Sequence, residues 1–131
     1  MTVFVDASVI VAILNNEDDA LGQAARLASC ADPVTSPIAC WEATIAVAKR
    51  RSEDMALASR RIQDLLTAAD VRTVSIGTDE MRAAIDAFER YGKGRHDAQL
   101  NMGDCFAYAC ARTNGAKLLY KGDDFSKTDL A

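Results

Sequence analysis

The chain alternates between two hydrophobic periods, and this alternation constrains its fold more than any single residue does. Short apolar or β-branched runs suited to buried strands fall at Val3 to Val5, Val34 to Ser36, Val71 to Ile76 and Lys117 to Tyr120. Between them lie patterns with helical spacing: Val9 to Leu14 and Ala20 to Ala28, Ile38 to Arg51 and Met55 to Ala69, then Thr78 to Tyr91 and Met102 to Thr113. A pair of helices separates each strand from the next, which is enough chain to return to the start of a parallel neighbour. The expected fold is α/β, a three-layer α/β/α sandwich with a central parallel sheet of four to five strands. At 131 residues, half of them hydrophobic, the chain suits one domain spanning 1–131. No linker, internal repeat or low-complexity segment breaks it.

Four acids interrupt the apolar pattern. Asp6 stands at the junction between the strand Val3-Phe4-Val5 and the helix beginning near Val9, where Asp6 or Ser8 serves equally well as an N-cap. Asp104 follows Asn101-Met102-Gly103; with Asn101 as N-cap it falls at the third helical position, where a carboxylate suits the positive end of the helix dipole, so capping alone accounts for it. Asp123 and Asp124 follow Gly122 after an apolar run, as in an ordinary turn, although a turn does not need two adjacent carboxylates. Glu42 is the most telling. Its helical neighbours at three and four residues are Ile38, Ala39, Ile45 and Ala46, with no basic residue within a turn, and an unpaired buried carboxylate costs several kcal/mol. A ligand role for Glu42 outweighs that of a residue reaching solvent from the stripe's edge.

The combination says more than its members. Strand carboxyl ends and the helix starts that follow them converge on one crevice of an α/β sheet. Acids gathered there repel one another and lose hydration unless a hard cation such as Mg²⁺ or Mn²⁺ neutralises them. The formal charge of −4 comes from 15 basic and 19 acidic residues, so setting four ligand acids aside leaves the remainder balanced. Lys49, Arg50, Arg51, Lys93, Arg95 and Lys121 are then candidate phosphate supports, though a solvated face explains most of them.

Other classes are disfavoured. The apolar stretch from Val3 to Leu14 is interrupted by Asp6 and too short to span a bilayer, so no membrane partner is expected. The start of the chain lacks a basic region and a cleavage signal, and a cytoplasmic location is expected. Cys30, Cys40, Cys105 and Cys110 form no CxxC pair and His96 is the only histidine, which leaves little support for structural zinc and reads the thiols as reduced core residues.

Several stretches together resemble a known family. They are Val5-Asp6-Ala7-Ser8, the Trp41-Glu42 helix, Tyr91-Gly92-Lys93-Gly94-Arg95-His96 leading through Leu100-Asn101-Met102-Gly103-Asp104-Cys105-Phe106-Ala107-Tyr108-Ala109, and Leu118-Leu119-Tyr120-Lys121-Gly122-Asp123-Asp124-Phe125. In this order they look like a VapC-type toxin of the PIN-domain ribonucleases, over nearly the whole chain. The first two elements are weak alone; the central and final ones are specific.

The resemblance implies a metal-dependent endoribonuclease, the toxin of a toxin–antitoxin pair, acting on structured RNA such as tRNA or rRNA. Its acids correspond to Asp6, Glu42, Asp104 and Asp124, with Ser8 and Asn101 as supports; the family places the essential acid directly before the Phe, which selects Asp124 over Asp123. One or two Mg²⁺ or Mn²⁺ ions then activate water for in-line attack on a phosphodiester, leaving 5′-phosphate and 3′-hydroxyl ends. Lys93, Arg95, His96 and Lys121 are the candidate substrate contacts, His96 being more often a solvated or phosphate-contacting residue than an acid–base catalyst. The loop from Tyr91 to Leu100 is a candidate to close over substrate. A VapB-like antitoxin laying a peptide with a basic side chain across the acids is implied, as is a homodimer through faces near Glu53 to Ala69. The chain ends soon after Phe125, which leaves a fifth, edge strand in doubt. Rival readings are a structure-specific DNA nuclease of the same fold, an aspartyl phosphatase, against which Ser8 counts because such enzymes commonly place a second Asp there, and a non-catalytic metal-binding regulatory module.

Overall fold

The computed structural model describes residues Met1–Ala131. Four strands and six helices follow in the order β1 (Thr2–Val5), α1 (Ala7–Leu14), α2 (Ala20–Ala28), β2 (Asp32–Thr35), α3 (Pro37–Arg51), α4 (Met55–Ala68), β3 (Arg72–Thr73), α5 (Thr78–Tyr91), α6 (Met102–Thr113) and β4 (Lys117–Leu119). All pairings are parallel and the sheet order is β3-β2-β1-β4.

This order follows from the connections. Right-handed crossovers carry the chain from β1 to β2 to β3 in one direction, which places α1 to α4 on one face. The step from β3 back past β1 to β4 runs the other way and places α5 and α6 on the opposite face. The packing agrees: α1 meets α2, α3 and α4, while α5 packs on α6 and α6 on β1 and β4. The result is the expected α/β/α sandwich, with four strands. The reversal of direction lies between β1 and β4, which is where open parallel sheets place their ligand crevice.

Phe4, Val5, Val9, Ile10, Val34, Val47, Ile62, Leu100, Tyr108 and Phe125 are almost wholly buried around the sheet. Burying each such side chain contributes about 1.5–3 kcal/mol, so a sheet of two- to four-residue strands is held mainly by its helices. The strand expected over Val71 to Ile76 is reduced to Arg72–Thr73. Val71 and Val74 are buried, and the Val74 N–H still reaches the Thr35 carbonyl at 2.8 Å, but β2 is too short to pair further. Pro33 is tolerated in β2 because β3 pairs only with Val34 and Thr35, leaving no partner on that side at its level. No fifth strand forms. Instead the C-terminal segment folds back and is anchored through Asp129, which accepts hydrogen bonds from the Tyr108 hydroxyl (2.6 Å), the Tyr91 hydroxyl (3.3 Å) and the Arg112 guanidinium. Burial raises the Asp129 pKa, yet Tyr108, Arg112 and Arg90 together hold it below its ordinary value.

All four cysteines are free, Cys105 and Cys110 in the core and Cys30 and Cys40 partly exposed. No helix is long and apolar enough to cross a membrane.

Candidate active site

Each acid is delivered by a different element at one end of the sheet. Asp6 directly follows β1, and its own N–H donates to the Leu119 carbonyl of β4 at 2.9 Å, so it sits on the seam between the two strands. Its Oδ2 accepts the Ser8 N–H at 3.1 Å and caps α1. Asp104 lies in the first turn of α6, where Asn101 Oδ1 accepts the Asp104 N–H (2.9 Å) and Asp104 Oδ2 accepts the Asn101 N–H (3.1 Å). Both are buried. The capping expected from the sequence is therefore present at both residues, and it fixes their orientation while occupying one oxygen of each.

Glu42 arrives from α3, which starts at the carboxyl end of β2 with Ser36 as N-cap, accepting the Ala39 N–H at 3.1 Å. Its carboxyl group lies directly against Gly103: a Cβ built at position 103 would overlap it. The absence of a side chain at residue 103 is what lets Glu42 reach the start of α6 beside Asp104. Asp124 is on the exposed turn after β4. Ser8 joins the two sides, since its Oγ accepts the Lys121 N–H at 2.9 Å and so ties the α1 start to the turn carrying Asp124.

The electrostatics express this convergence. Burial pushes Asp6 up, and Asp124 adds repulsion against the lowering effect of the Ser8 hydrogen bonds. Burial raises Glu42 to about 7, with a further push from Asp6. Asp104 is also raised to about 7, chiefly by burial, then by the charges of Asp124 and Asp6. Asp124, not its neighbour, is thus the acid whose field reaches both Asp6 and Asp104. None of Asp6, Glu42, Asp104 and Asp124 has a Lys or Arg ion-pair partner, although ten other ion pairs occur in the chain.

No three of these side chains are drawn to the spacing at which they share one ion. Asp104 and Asp124 come nearest to each other, within side-chain hydrogen-bond reach. The donor set itself suits a hard cation: four oxygen ligands from four elements, partly dehydrated, with no competing cation.

The proposed substrate contacts are placed differently. Lys121 is not free. Its ammonium is taken up by Glu17 and by Asp19 (3.0 Å), which binds the turn after β4 to the α1–α2 connection. The Glu17 hydrogen bond, followed by that of Asp19, raises its pKa. Arg95 stacks over Phe88 (5.6 Å) and lies 3.8 Å from Glu89, while His96 meets Tyr91 edge-on and its Nδ1 accepts the Ala98 N–H at 3.0 Å. Lys93 is exposed. None of these four side chains contacts the acids. The loop from Tyr91 to Leu100 is closed on itself by paired backbone bonds, Lys93 N–H to the Leu100 carbonyl and Leu100 N–H to the Tyr91 carbonyl, each 2.9 Å. Gly94 and Gln99 supply the left-handed turns that this closure needs, at φ of 83° and 51°. Of the motif residues to which the sequence assigned no role, Gly103 is a matter of space and Trp41, 60% exposed beside Glu42, is an aromatic on an outer helix face.

Four acids at the strand-order reversal of such a sheet define a class, and the family model described as PIN domain matches residues 3–130. A VapC ribonuclease of Rhizobium meliloti is 40% identical over 97% of this chain and 98% of its own length. Ribonuclease VapC of Mycolicibacterium smegmatis is 41% identical, covering 97% of this chain and 96% of that protein. The solved structure of Mycobacterium tuberculosis VapC20, described as a sarcin-ricin loop cleaving toxin, superposes with a TM-score of 0.75 at 23% identity over 95% of this chain and 92% of that one. A chain from a toxin–antitoxin complex of Klebsiella pneumoniae gives a TM-score of 0.69 at 16% identity, covering 98% and 93%; these two likenesses speak to the fold alone. The chain belongs to the VapC ribonucleases of the PIN-domain family.

Proposed function

We propose that the chain is a metal-dependent endoribonuclease, the toxin of a toxin–antitoxin pair, with Asp6, Glu42, Asp104 and Asp124 as its acids. The observation that carries this reading is the placing of four carboxylates at one end of the sheet, within reach of each other's charge and without a single basic partner, one of them packed against a glycine that leaves room for nothing larger. A fold can hold such a group cheaply only by keeping protons on it or by binding a cation.

Asp6, Asp104, Glu42 and Asp124 would hold Mg²⁺, with Mn²⁺ able to substitute. When bound, the ion supplies positive charge that acidifies water and stabilises charge developing on a phosphodiester. The chain's own contribution is orientation. Capping bonds lock Asp6 and Asp104, and Ser8 sets the distance between the α1 start and the Asp124 turn. Burial lifts both Glu42 and Asp104 to about 7, so each is only partly ionised near neutral pH, and binding of a cation would displace the remaining protons. Asp123 is left to the turn.

The substrate is RNA, in keeping with the VapC ribonuclease relatives, with tRNA or rRNA favoured. A VapB-like antitoxin is the expected partner, as membership of the VapC family implies. Self-association belongs to the same proposal, and α4 leaves Met55 and Leu57 exposed on the face proposed for it.

Sequencing RNA ends after brief exposure of total RNA to the wild type and to Asp104→Asn tests the reading. New 5′-phosphate and 3′-hydroxyl ends with the wild type and none with the variant are expected. Identical ends from both proteins, or 2′,3′-cyclic phosphate ends, would overturn it.

A further inference from the structure

Trp41 is the chain's only tryptophan, and it is 60% exposed on α3, immediately before Glu42. The buried line of α3 runs through Ala39, Ala43 and Val47, so Trp41 belongs to the outer flank, one turn from the partly exposed Ile38 and Ile45. Side chains on a helix lean toward its N-terminus, and the N-terminus of α3 is at the carboxyl end of β2, the end where the acids gather. The indole therefore inclines toward the site's rim instead of away from it. Met102, the first residue of α6, directly precedes Gly103, against which Glu42 packs, and its side chain lines the apolar groove between α5 and α6. Glu42 and Asp104 lie where α3 meets α6, and Trp41 directly precedes Glu42 on the exposed flank of α3.

Resting on the ribonuclease reading above, we infer that Trp41 is a stacking platform for an unpaired base of the RNA next to the scissile phosphate. An acidic crevice gives little attraction to the bases themselves, and an aromatic face at its edge supplies it without regard to base identity. The contact fixes the strand's register across the acids, so Trp41 governs substrate binding and not the hydrolytic step.

The chain's single indole makes the test direct, because all tryptophan emission comes from this residue. With Asp104→Asn as the binding protein, titration with a mixed-sequence single-stranded oligoribonucleotide in Mn²⁺ should quench that emission. In the otherwise wild-type enzyme, Trp41→Ala should raise KM for the oligonucleotide by about 5- to 150-fold, the range for one lost base stack, with kcat little changed. Trp41→Phe should recover most of the loss. Oligonucleotide binding without quenching, or an unchanged KM in Trp41→Ala, overturns this inference alone. Emission that shifts with protein concentration and ignores RNA also overturns it, assigning the indole to a protein interface. Failure of the wild type to bind or cut RNA overturns the ribonuclease reading as well.

Discussion

Replacing Glu42 by Gln should make the metal-free protein more stable and the metal-loaded protein less so. In the folded chain burial, aided by Asp6, raises the Glu42 pKa from an ordinary 4.5 to about 7. Each unit corresponds to ~1.4 kcal/mol, so the ionised form carries a penalty of about 3 kcal/mol above neutral pH. Because the side chain keeps some contact with solvent, screening reduces the expected effect to about 1–2 kcal/mol. The folded state binds the Glu42 proton more tightly than the unfolded chain does. Its contribution is therefore complete below about pH 4.5 and lost as pH rises through about 7. Glutamine has no proton to lose. Urea unfolding in chelator should then show wild type and Glu42→Gln diverging as pH rises from about 4.5 to about 8, with the variant the more stable at the upper end. Added Mn²⁺ reverses the order. At a hundredfold excess over its Kd a ligand of the folded state adds ~2.7 kcal/mol, and the variant, short of one ligand charge, should gain less. A stability difference that is the same at both ends of the pH range, or an equal Mn²⁺ gain in both proteins, would refute the reasoning.

Two further outcomes follow from the packing. Gly103→Ala places a methyl group where the Glu42 carboxyl lies, yet improves helix propensity by up to about 1 kcal/mol, so thermal melts should show a retained fold with a weakened Mn²⁺ response; an undiminished response would show that Glu42 does not need that position. Asp129→Ala leaves the buried Tyr108 hydroxyl and Arg112 without their acceptor and should cost about 1–3 kcal/mol in urea unfolding, a stability loss that Mn²⁺ does not selectively restore.

The fold was legible where local pattern and burial agree. The expected boundaries of α2, α5 and α6 coincide with those observed, because each carries an apolar stripe that ends at a cap or a break. β3 was overread, since a β-branched run shows that a segment is extended and partly buried but not how many residues find a partner. The site was legible residue by residue but ambiguous in role: Asp6 and Asp104 could each be a cap or a ligand when read alone. The structure shows the capping, one carboxylate oxygen of each serving its helix, and this leaves the second oxygen for the ligand role proposed above. The ion pairs of Lys121, a candidate substrate contact in the sequence, were not legible there because Glu17 and Asp19 are remote in sequence and adjacent only after the turn following β4 meets the α1–α2 connection. Gly103 and Trp41 could not be placed without knowing which side of α3 meets α6.

The double duty of Asp6 and Asp104 bears on how a silent version of this protein should be made. An alanine at either position removes a helix cap together with a charge, so loss of activity in such a protein would be indistinguishable from a frayed α1 or α6. Asparagine keeps a carbonyl oxygen for the Ser8 or Asn101 amide and discards only the ionisable proton site. It is the replacement that separates chemistry from architecture, and the one suited to trapping an intact partner or transcript on an unreactive protein.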